Sequence, residues 1–180
     1  MSQFKVISGG QRGVDLIALQ EAASVGFETG GTAHREANPE SVRVFKMTVY
    51  HFPVYSIAQG LVARSKKNVD DSDATIAFLT AAHSGTHKTA GYCQSRRWGS
   101  YDTAYRGEQH RPVLVLTRLA TREECDQEVE RIVAFLAKLN PKVINVCGHR
   151  DDRTAALPGY ERSVRYVLQK VFQRLKGKDV

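Results

Sequence analysis

The stretch VISGGQRGVDLIALQEA, residues 6–22, decides the fold class. It begins with an apolar run that predicts a strand ending at Ile7, and after three glycines it continues into the helical pattern Val14–Ala23. Glycines between a strand and a helix let the backbone turn tightly and approach a ligand without a Cβ in the way. The first N–H groups of a helix then favour an anion. The stretch therefore predicts a strand–turn–helix unit with a candidate phosphate-binding loop.

The same alternation of apolar strands and amphipathic helices continues along the chain. Strands are predicted at 4–7, 27–30, 48–51, 74–79, 112–117 and 142–148. Helices are predicted at 14–23, 57–69 and 86–96, after the capping box of Thr121 and Glu124, and over 164–175, whereas 31–55 is predicted to be mainly irregular. Strands separated by helices pair in parallel through right-handed crossovers. We therefore expect an α/β, Rossmann-like open parallel sheet with helices on both faces, with residues 1–180 as a single domain.

Composition and charge narrow the classes of function. The formal charge of +7 favours an anionic partner, either a small phosphate-bearing ligand or nucleic acid, although a generic basic surface explains it equally well. Three widely spaced cysteines and six scattered histidines predict no metal site and no disulfide framework. No apolar run in the sequence is long enough to span a membrane, and we expect no signal peptide because the first predicted strand begins at residue 4. We expect a cytoplasmic protein with no membrane partner.

The first loop supplies a set of candidate ligand-binding residues, namely Ser8, Gly9, Gly10, Gln11, Gly13 and Asp15. Their glycine spacing matches neither GxGxxG nor the P-loop, so a purely structural turn is the alternative. Asp15 brings a carboxylate close to the expected anion. It either satisfies N–H groups of the first helical turn, or binds a ribose hydroxyl, or acts as a catalytic acid or base. The first two roles are favoured.

A second loop follows the buried strand 74–79. Ser84, Gly85 and Thr86 open the next helix and offer hydroxyl and N–H donors to another oxyanion. Helix capping by Ser84 or Thr86 would explain the same residues. These three residues are therefore candidates for ligand binding, and helix capping is the structural alternative.

A polar segment precedes that buried strand. Arg64, Asn68 and Asp71 are spaced i, i+4 and i+7, which places them in one stripe on a helix, and Asp73 follows directly. The acidic residues either form a turn or bind a metal, and the lack of further carboxylates or histidines at ligand spacing disfavours metal.

Several motifs, in order and spacing, carry a family resemblance: ISGGQRGVDLIAL, TGG at 29–31, KNVDDSDATIAFL, SGT at 84–86, RPVLVL, and VINVCGHRDD with a following PG. Together they resemble the circularly permuted YpsA-type branch of the SLOG superfamily, whose members are called "putative molybdenum carriers". The resemblance runs from Phe4 to about Leu175. It implies a Rossmann-like fold that binds a nucleotide, a nucleotide-derived ligand or a pterin phosphate, with the molybdenum cofactor or a nucleotide as the candidate bound group. It also implies a homodimer or a higher homo-oligomer.

Three groups of residues match the family's motifs. The resemblance implies a first ligand loop, a second ligand loop and a polar segment, which are, in that order, Gly9, Gly10, Gly13 and Asp15; Ser84, Gly85 and Thr86; and Arg64, Asn68, Asp71 and Asp73. The chain is also distantly similar to the phosphoribohydrolases of the lysine decarboxylase-like group, which carry PGGxGTxxE with an essential Glu. Here the segment reads HSGTHKTAG, and Thr89 stands where that Glu would fall. The usual acid is therefore missing unless Asp15 substitutes for it.

These observations leave three functional hypotheses. A ligand-binding protein without strong catalysis is favoured, because two glycine- or hydroxyl-containing turns follow strands and no complete catalytic set is present. A nucleotide N-glycosidase of the phosphoribohydrolase type is the alternative, so whether the chain is an enzyme stays open. Binding of single-stranded nucleic acid ranks last, because no stacking platform is visible in the sequence.

Overall fold

A five-stranded parallel sheet lies at the centre of the protein, in the strand order β2-β1-β7-β5-β6. The structure is a computed structural model and describes residues 4–34, 37–50, 57–79, 84–104, 107–117, 119–150 and 158–177. Its strands are β1 (Lys5–Ile7), β2 (Glu28–Gly30), β3 (Thr32–His34), β4 (Thr48–Tyr50), β5 (Ala74–Phe78), β6 (Val113–Leu116) and β7 (Val143–Cys147). Every strand pair is parallel, which confirms the predicted α/β, Rossmann-like architecture.

Helices connect these strands as the sequence pattern predicts. They are α1 (Val14–Ser24), α2 (Pro39–Val44), α3 (Ile57–Asp70), α4 (Gly85–Ser95), α5 (Arg122–Leu139) and α6 (Tyr160–Gly177). The predicted capping box begins α5, because Thr121 accepts a hydrogen bond from the Glu124 N–H and the Glu124 side chain accepts one from the Thr121 N–H.

Helices cover both faces of the sheet, as expected. On one face of the sheet α6 packs against both α1 and α5. The apolar stripes of these three helices bury Ile76 and Phe78 of β5, whose side chains point to that face. On the other face α3 and α4 pack together over Ala77, which points the opposite way along the same strand. Side chains such as Phe172, which is fully buried, each contribute roughly 1.5–3 kcal/mol to this core.

The prediction for residues 31–55 is wrong in part. The strand predicted at 48–51 is present as β4, but the structure adds β3 and α2, and β3 pairs with β4 in a separate two-stranded sheet. Asn38 begins α2 by accepting hydrogen bonds from two N–H groups, with Pro39 at the first helical position. A small apolar cluster holds this unit on α1, with Leu19 against Ala33, Phe45 and Met47. Residues 51–55 lie outside the described residues.

The topology marks one edge of the sheet for ligand binding. The chain leaves β1 for α1 on one face and leaves β5 for α4 on the other face. β7 lies between these two strands, so the direction of the connections reverses at the carboxyl ends of β1, β7 and β5. In open parallel sheets, ligands bind at such a switch point.

Candidate anion-binding site

A buried ion pair lies at the carboxyl end of β1. Nη1 of Arg64, from α3, lies 3.1 Å from Oδ2 of Asp15, in the first turn of α1, and the two side chains are only 7% and 5% exposed. Nη2 of Arg64 also donates to Oε1 of Gln11, at 2.5 Å. Helices on opposite faces of the sheet are thereby joined beyond the strand ends, in the region that the topology marks for a ligand.

Gly9, after β1, makes room for the Arg64 side chain, which the sequence does not reveal. A Cβ on Gly9 would lie 1.3 Å from Nη1 of Arg64, so the guanidinium lies directly against the backbone at this position. Gly10 and Gly13 have φ of +68° and +93°, in the region that favours glycine. Gly9 therefore makes room for a cation, while Gly10 and Gly13 allow the chain to turn. The sequence showed three glycines but not which residue approaches them.

Burial and neighbouring groups shift the pKa of Asp15 in opposite directions. Burial raises the pKa of this carboxyl above its usual value, and the charge and hydrogen bond of Arg64, with backbone hydrogen bonds from Gly148 and Gln11, lower the pKa again without cancelling the rise. No described side chain caps α1. The hypothesis that Asp15 only satisfies the first helical turn is therefore not supported, because its carboxylate contacts Arg64 and two loop backbones instead.

Cys147 and Gly148, at the end of β7, complete the surroundings of this carboxylate. Burial, followed by the Asp15 charge, raises the pKa of the Cys147 thiol, which keeps the thiol neutral. A Cβ on Gly148 would lie 2.4 Å from Cβ of Val14, so glycine is required for α1 to approach β7. Both residues belong to the motif VINVCGHRDD that carries the family resemblance, but neither was among the predicted ligand-binding residues.

Ser8 and Asn68 hold the framework of the site together. Oγ of Ser8 donates to the Val146 carbonyl at 2.6 Å, which ties the end of β1 to β7. The Asn68 amide accepts from the Thr32 N–H at 2.7 Å and donates to the Thr32 carbonyl at 3.1 Å, which ties α3 to β3. Both side chains are buried. Arg64 and Asn68 thus share the buried face of α3.

The structure places the two acidic residues of the polar segment elsewhere. Asp71 forms an exposed ion pair with Lys67, at 2.8 Å. Oδ2 of Asp73 accepts hydrogen bonds from the N–H groups of Lys142 and Val143, at 2.8 and 2.9 Å, where β7 begins. Both residues therefore lie at the amino-terminal edge of the sheet, and the structure does not bring them together with Asp15.

The second predicted loop is described only from Ser84 onward, because residues 80–83 lie outside the described residues. Oγ of Ser84 accepts a hydrogen bond from the His87 N–H at 3.1 Å, so the capping alternative accounts for this hydroxyl. Thr86 is buried, and Thr89 donates to the Gly85 carbonyl at 2.9 Å. Apart from its chain neighbours and the backbone of α4, no described atom lies within 4 Å of a Cβ built on Gly85. Among the described residues, Gly85 therefore leaves open space at the N-terminus of α4.

A separate cleft of about 770 Å³ opens at the carboxyl end of β6, between the first turns of α5 and α6. Thr121 and Glu124 form the capping box, and the Arg122 guanidinium lies 3.5 Å from the ring centre of Tyr166, whereas the buried Tyr160 hydroxyl in this cleft has no hydrogen-bond partner among the described residues. We assign the candidate site to Arg64 and its neighbours because they lie at the switch point of the connections, whereas the cleft lies beside the edge strand β6. No group of three or more potential metal ligands occurs among the residues that the structure describes. No helix in the described part of the chain is long and apolar enough to cross a membrane.

The fold and the site together define the class of protein: a Rossmann-like α/β protein whose polar residues meet at the carboxyl edge of a parallel sheet. The model of the circularly permuted YpsA SLOG family matches residues 6–172, and the chain belongs to this family. Its fold is similar to the crystal structure of a "Putative molybdenum carrier protein" from Syntrophus aciditrophicus, with a TM-score of 0.67, 21% identity and 95% of each chain covered. A comparison with curated proteins found no match.

Proposed function

We propose that the protein binds a small phosphate-bearing ligand at Arg64 and the loop 8–15. The ligand would be a nucleotide, a nucleotide-derived molecule or a pterin phosphate. One observation carries this proposal. Arg64 is 6% exposed, yet among the described residues nothing accepts a hydrogen bond from its buried Nε. A buried donor without a partner costs roughly 1–3 kcal/mol, and more when it is charged. An oxyanion of a ligand would remove this cost.

The chemistry of the guanidinium supports an oxyanion as the ligand group. Arginine presents five N–H donors in a planar fork that matches phosphate, and Asp15 and Gln11 account for only some of them. The formal charge of +7 favours the approach of an anion. Gly85, with open space at the N-terminus of α4, is our candidate for a second contact to the ligand.

The family resemblance, together with a structural neighbour named "Putative molybdenum carrier protein", makes a pterin phosphate one of the ligands to test. The described residues fit the phosphate part of such a ligand through Arg64, and a nucleotide phosphate would make the same contact. Ring recognition would distinguish the two. We place the other loop residues, Ser8, Gly10 and Gly13, in supporting roles because they shape the turn around the guanidinium.

Mass spectrometry of small molecules released from the purified protein tests the proposal. We expect a nucleotide or a pterin phosphate from the wild type and a strong loss of it from Arg64→Ala. Arg174→Ala is the matched control, because it removes an arginine from an exposed ion pair with Glu130. If the wild type releases nothing and titration with nucleoside monophosphates and pterin phosphates gives no binding, the proposal is wrong.

A second candidate function is cleavage of a nucleotide N-glycosidic bond with Asp15 as the acid. The observation in its favour is that burial raises the pKa of Asp15, as a general acid requires. Incubation with nucleoside monophosphates would then release free base, and Asp15→Asn would abolish the release. Binding without any release of base would exclude this reaction and leave the binding function standing.

A further inference from the structure

We infer that the binding of an oxyanion at Arg64 is coupled to the uptake of one proton by Asp15. The inference rests on the proposed function and adds its regulation: the protein would hold its ligand more tightly at lower pH. It is carried by a geometric fact, because the guanidinium that would bind the anion is the same group that pairs with the Asp15 carboxylate at 3.1 Å.

The free protein balances the buried carboxylate with one guanidinium. Asp15 is 4% exposed, so water does little to stabilise its charge, and Arg64 supplies the ion pair that does. An oxyanion bound to Arg64 would share that positive charge and add a negative charge close to Asp15. Two anions would then compete for one cation in a buried site, and a proton on Asp15 removes the conflict.

The other groups around Asp15 include a thiol, backbone donors, an exposed arginine and one buried histidine. From β7, the Cys147 thiol is already neutral, because burial and the Asp15 charge raise its pKa. From the loops, Gly148 and Gln11 contribute backbone hydrogen bonds. Arg12 in the first loop is exposed to solvent, and His149 is buried, with its carbonyl accepting a hydrogen bond from the Val14 N–H. His149 is therefore the competing titratable group that an experiment has to exclude.

The direction of the pH effect on affinity follows from the linkage between proton binding and ligand binding. If the bound state carries one more proton than the free state, the association constant falls by up to about tenfold for each unit rise in pH. The fall occurs at pH values between the pKa of Asp15 in the free protein and its higher pKa in the complex. Below both values Asp15 is protonated in each state, and the coupling disappears.

Calorimetric titration with inorganic sulfate measures the coupling directly, because the charge of sulfate stays constant around neutral pH. The titration is carried out in two buffers that differ in ionisation enthalpy, and the difference in heat gives the number of protons taken up. We expect close to one proton for the wild type and for Glu130→Gln, a control that removes an exposed carboxylate from α5. For Asp15→Asn we expect sulfate binding that no longer depends on pH and takes up no proton.

Difference infrared spectroscopy on the wild type gives an independent measurement, which remains valid if Asp15→Asn fails to fold. Addition of sulfate should produce the absorption of a protonated carboxylic acid and reduce that of a carboxylate. Sulfate binding without proton uptake would overturn the inference and leave the proposed function intact. Proton uptake that persists in Asp15→Asn, or occurs without the carboxylic acid signal, would point to His149 and also overturn it. Failure of sulfate, nucleoside monophosphates and pterin phosphates alike to bind would refute both the inference and the proposed function.

Discussion

Replacement of Gly9 by alanine tests the structure of the site most directly. The new Cβ would lie 1.3 Å from Nη1 and 2.2 Å from Cζ of Arg64, so the guanidinium cannot stay where it is. Its displacement breaks the buried pair with Asp15 and the hydrogen bond to Gln11. Breaking a buried ion pair costs about 3–5 kcal/mol. Because the guanidinium is the end of a flexible side chain, we expect the lower end of this range, about 3 kcal/mol.

Two measurements on the same preparation check this prediction. A loss of about 3 kcal/mol should lower the midpoint of thermal unfolding by roughly 6–12 °C for a chain of this size. Affinity for the ligand should fall more than tenfold, because one or two charge-assisted hydrogen bonds at roughly 1.5–3 kcal/mol each are lost.

Gly85→Ala is the matched control for this substitution. Apart from its chain neighbours and the backbone of α4, no described atom lies within 4 Å of its new Cβ, so the same chemical change meets open space among the described residues. We expect the unfolding free energy to rise by roughly 0.4–1 kcal/mol, because alanine reduces the freedom of the unfolded chain. If Gly9→Ala and Gly85→Ala change stability by the same amount, and Gly9→Ala binds the ligand like the wild type, the arrangement of Arg64 against Gly9 is refuted.

Further predictions concern other parts of the molecule. Asp73→Ala should lower stability by roughly 1–3 kcal/mol, because the two N–H groups that begin β7 lose a charged acceptor, and ligand affinity should stay unchanged in calorimetry. Gly10→Val should lose stability as well as affinity, because φ is +68° and a Cβ would lie 2.7 Å from Met47; unchanged thermal unfolding would contradict this. Burial raises the pKa of the Cys93 thiol from 9.0 to about 12, so unfolding free energy should decline between these pH values, and Cys93→Ala should show a smaller decline. Light scattering should show a homodimer, and a monomer mass at high concentration would contradict the proposed self-association.

The sequence predicts the main sheet well because its strands are apolar runs and its helices carry periodic stripes. β5 and α6 show this most clearly, since all residues of ATIAF are buried and the stripe from Val164 to Leu175 is also buried. β3 was missed because its sequence, TAH, contains no apolar run, and α2 was missed because six residues, none of them buried, are too few to show a helical period. Their stability comes from tertiary packing, with Phe45 and Met47 buried against α1.

The sequence predicted some residues of the candidate site, Asp15 and Arg64 among them, but not how they pair. The i, i+4 spacing correctly placed Arg64 and Asn68 on one face of α3, but the sequence does not show that this face is buried. The ion pair with Asp15 joins residues 49 positions apart, which depends on how α3 and α1 meet beyond the sheet. Asp71 and Asp73 continue the same polar segment, yet the chain has left the helix by then and reached the opposite edge of the sheet.

The loop after β1 therefore acts differently from a loop in which glycines bring backbone N–H groups up to a phosphate. Gly9 brings the backbone up to a guanidinium of the protein itself. If the protein binds an anion as proposed, the anion meets a guanidinium whose charge Asp15 balances in the free protein, in place of uncharged N–H groups alone. Such a site would discriminate by charge, because a neutral ligand would have to separate Arg64 from Asp15 without replacing the lost electrostatic energy. A nucleoside should consequently bind far more weakly than its monophosphate, whereas a site that recognised mainly the base would bind the two with similar affinity.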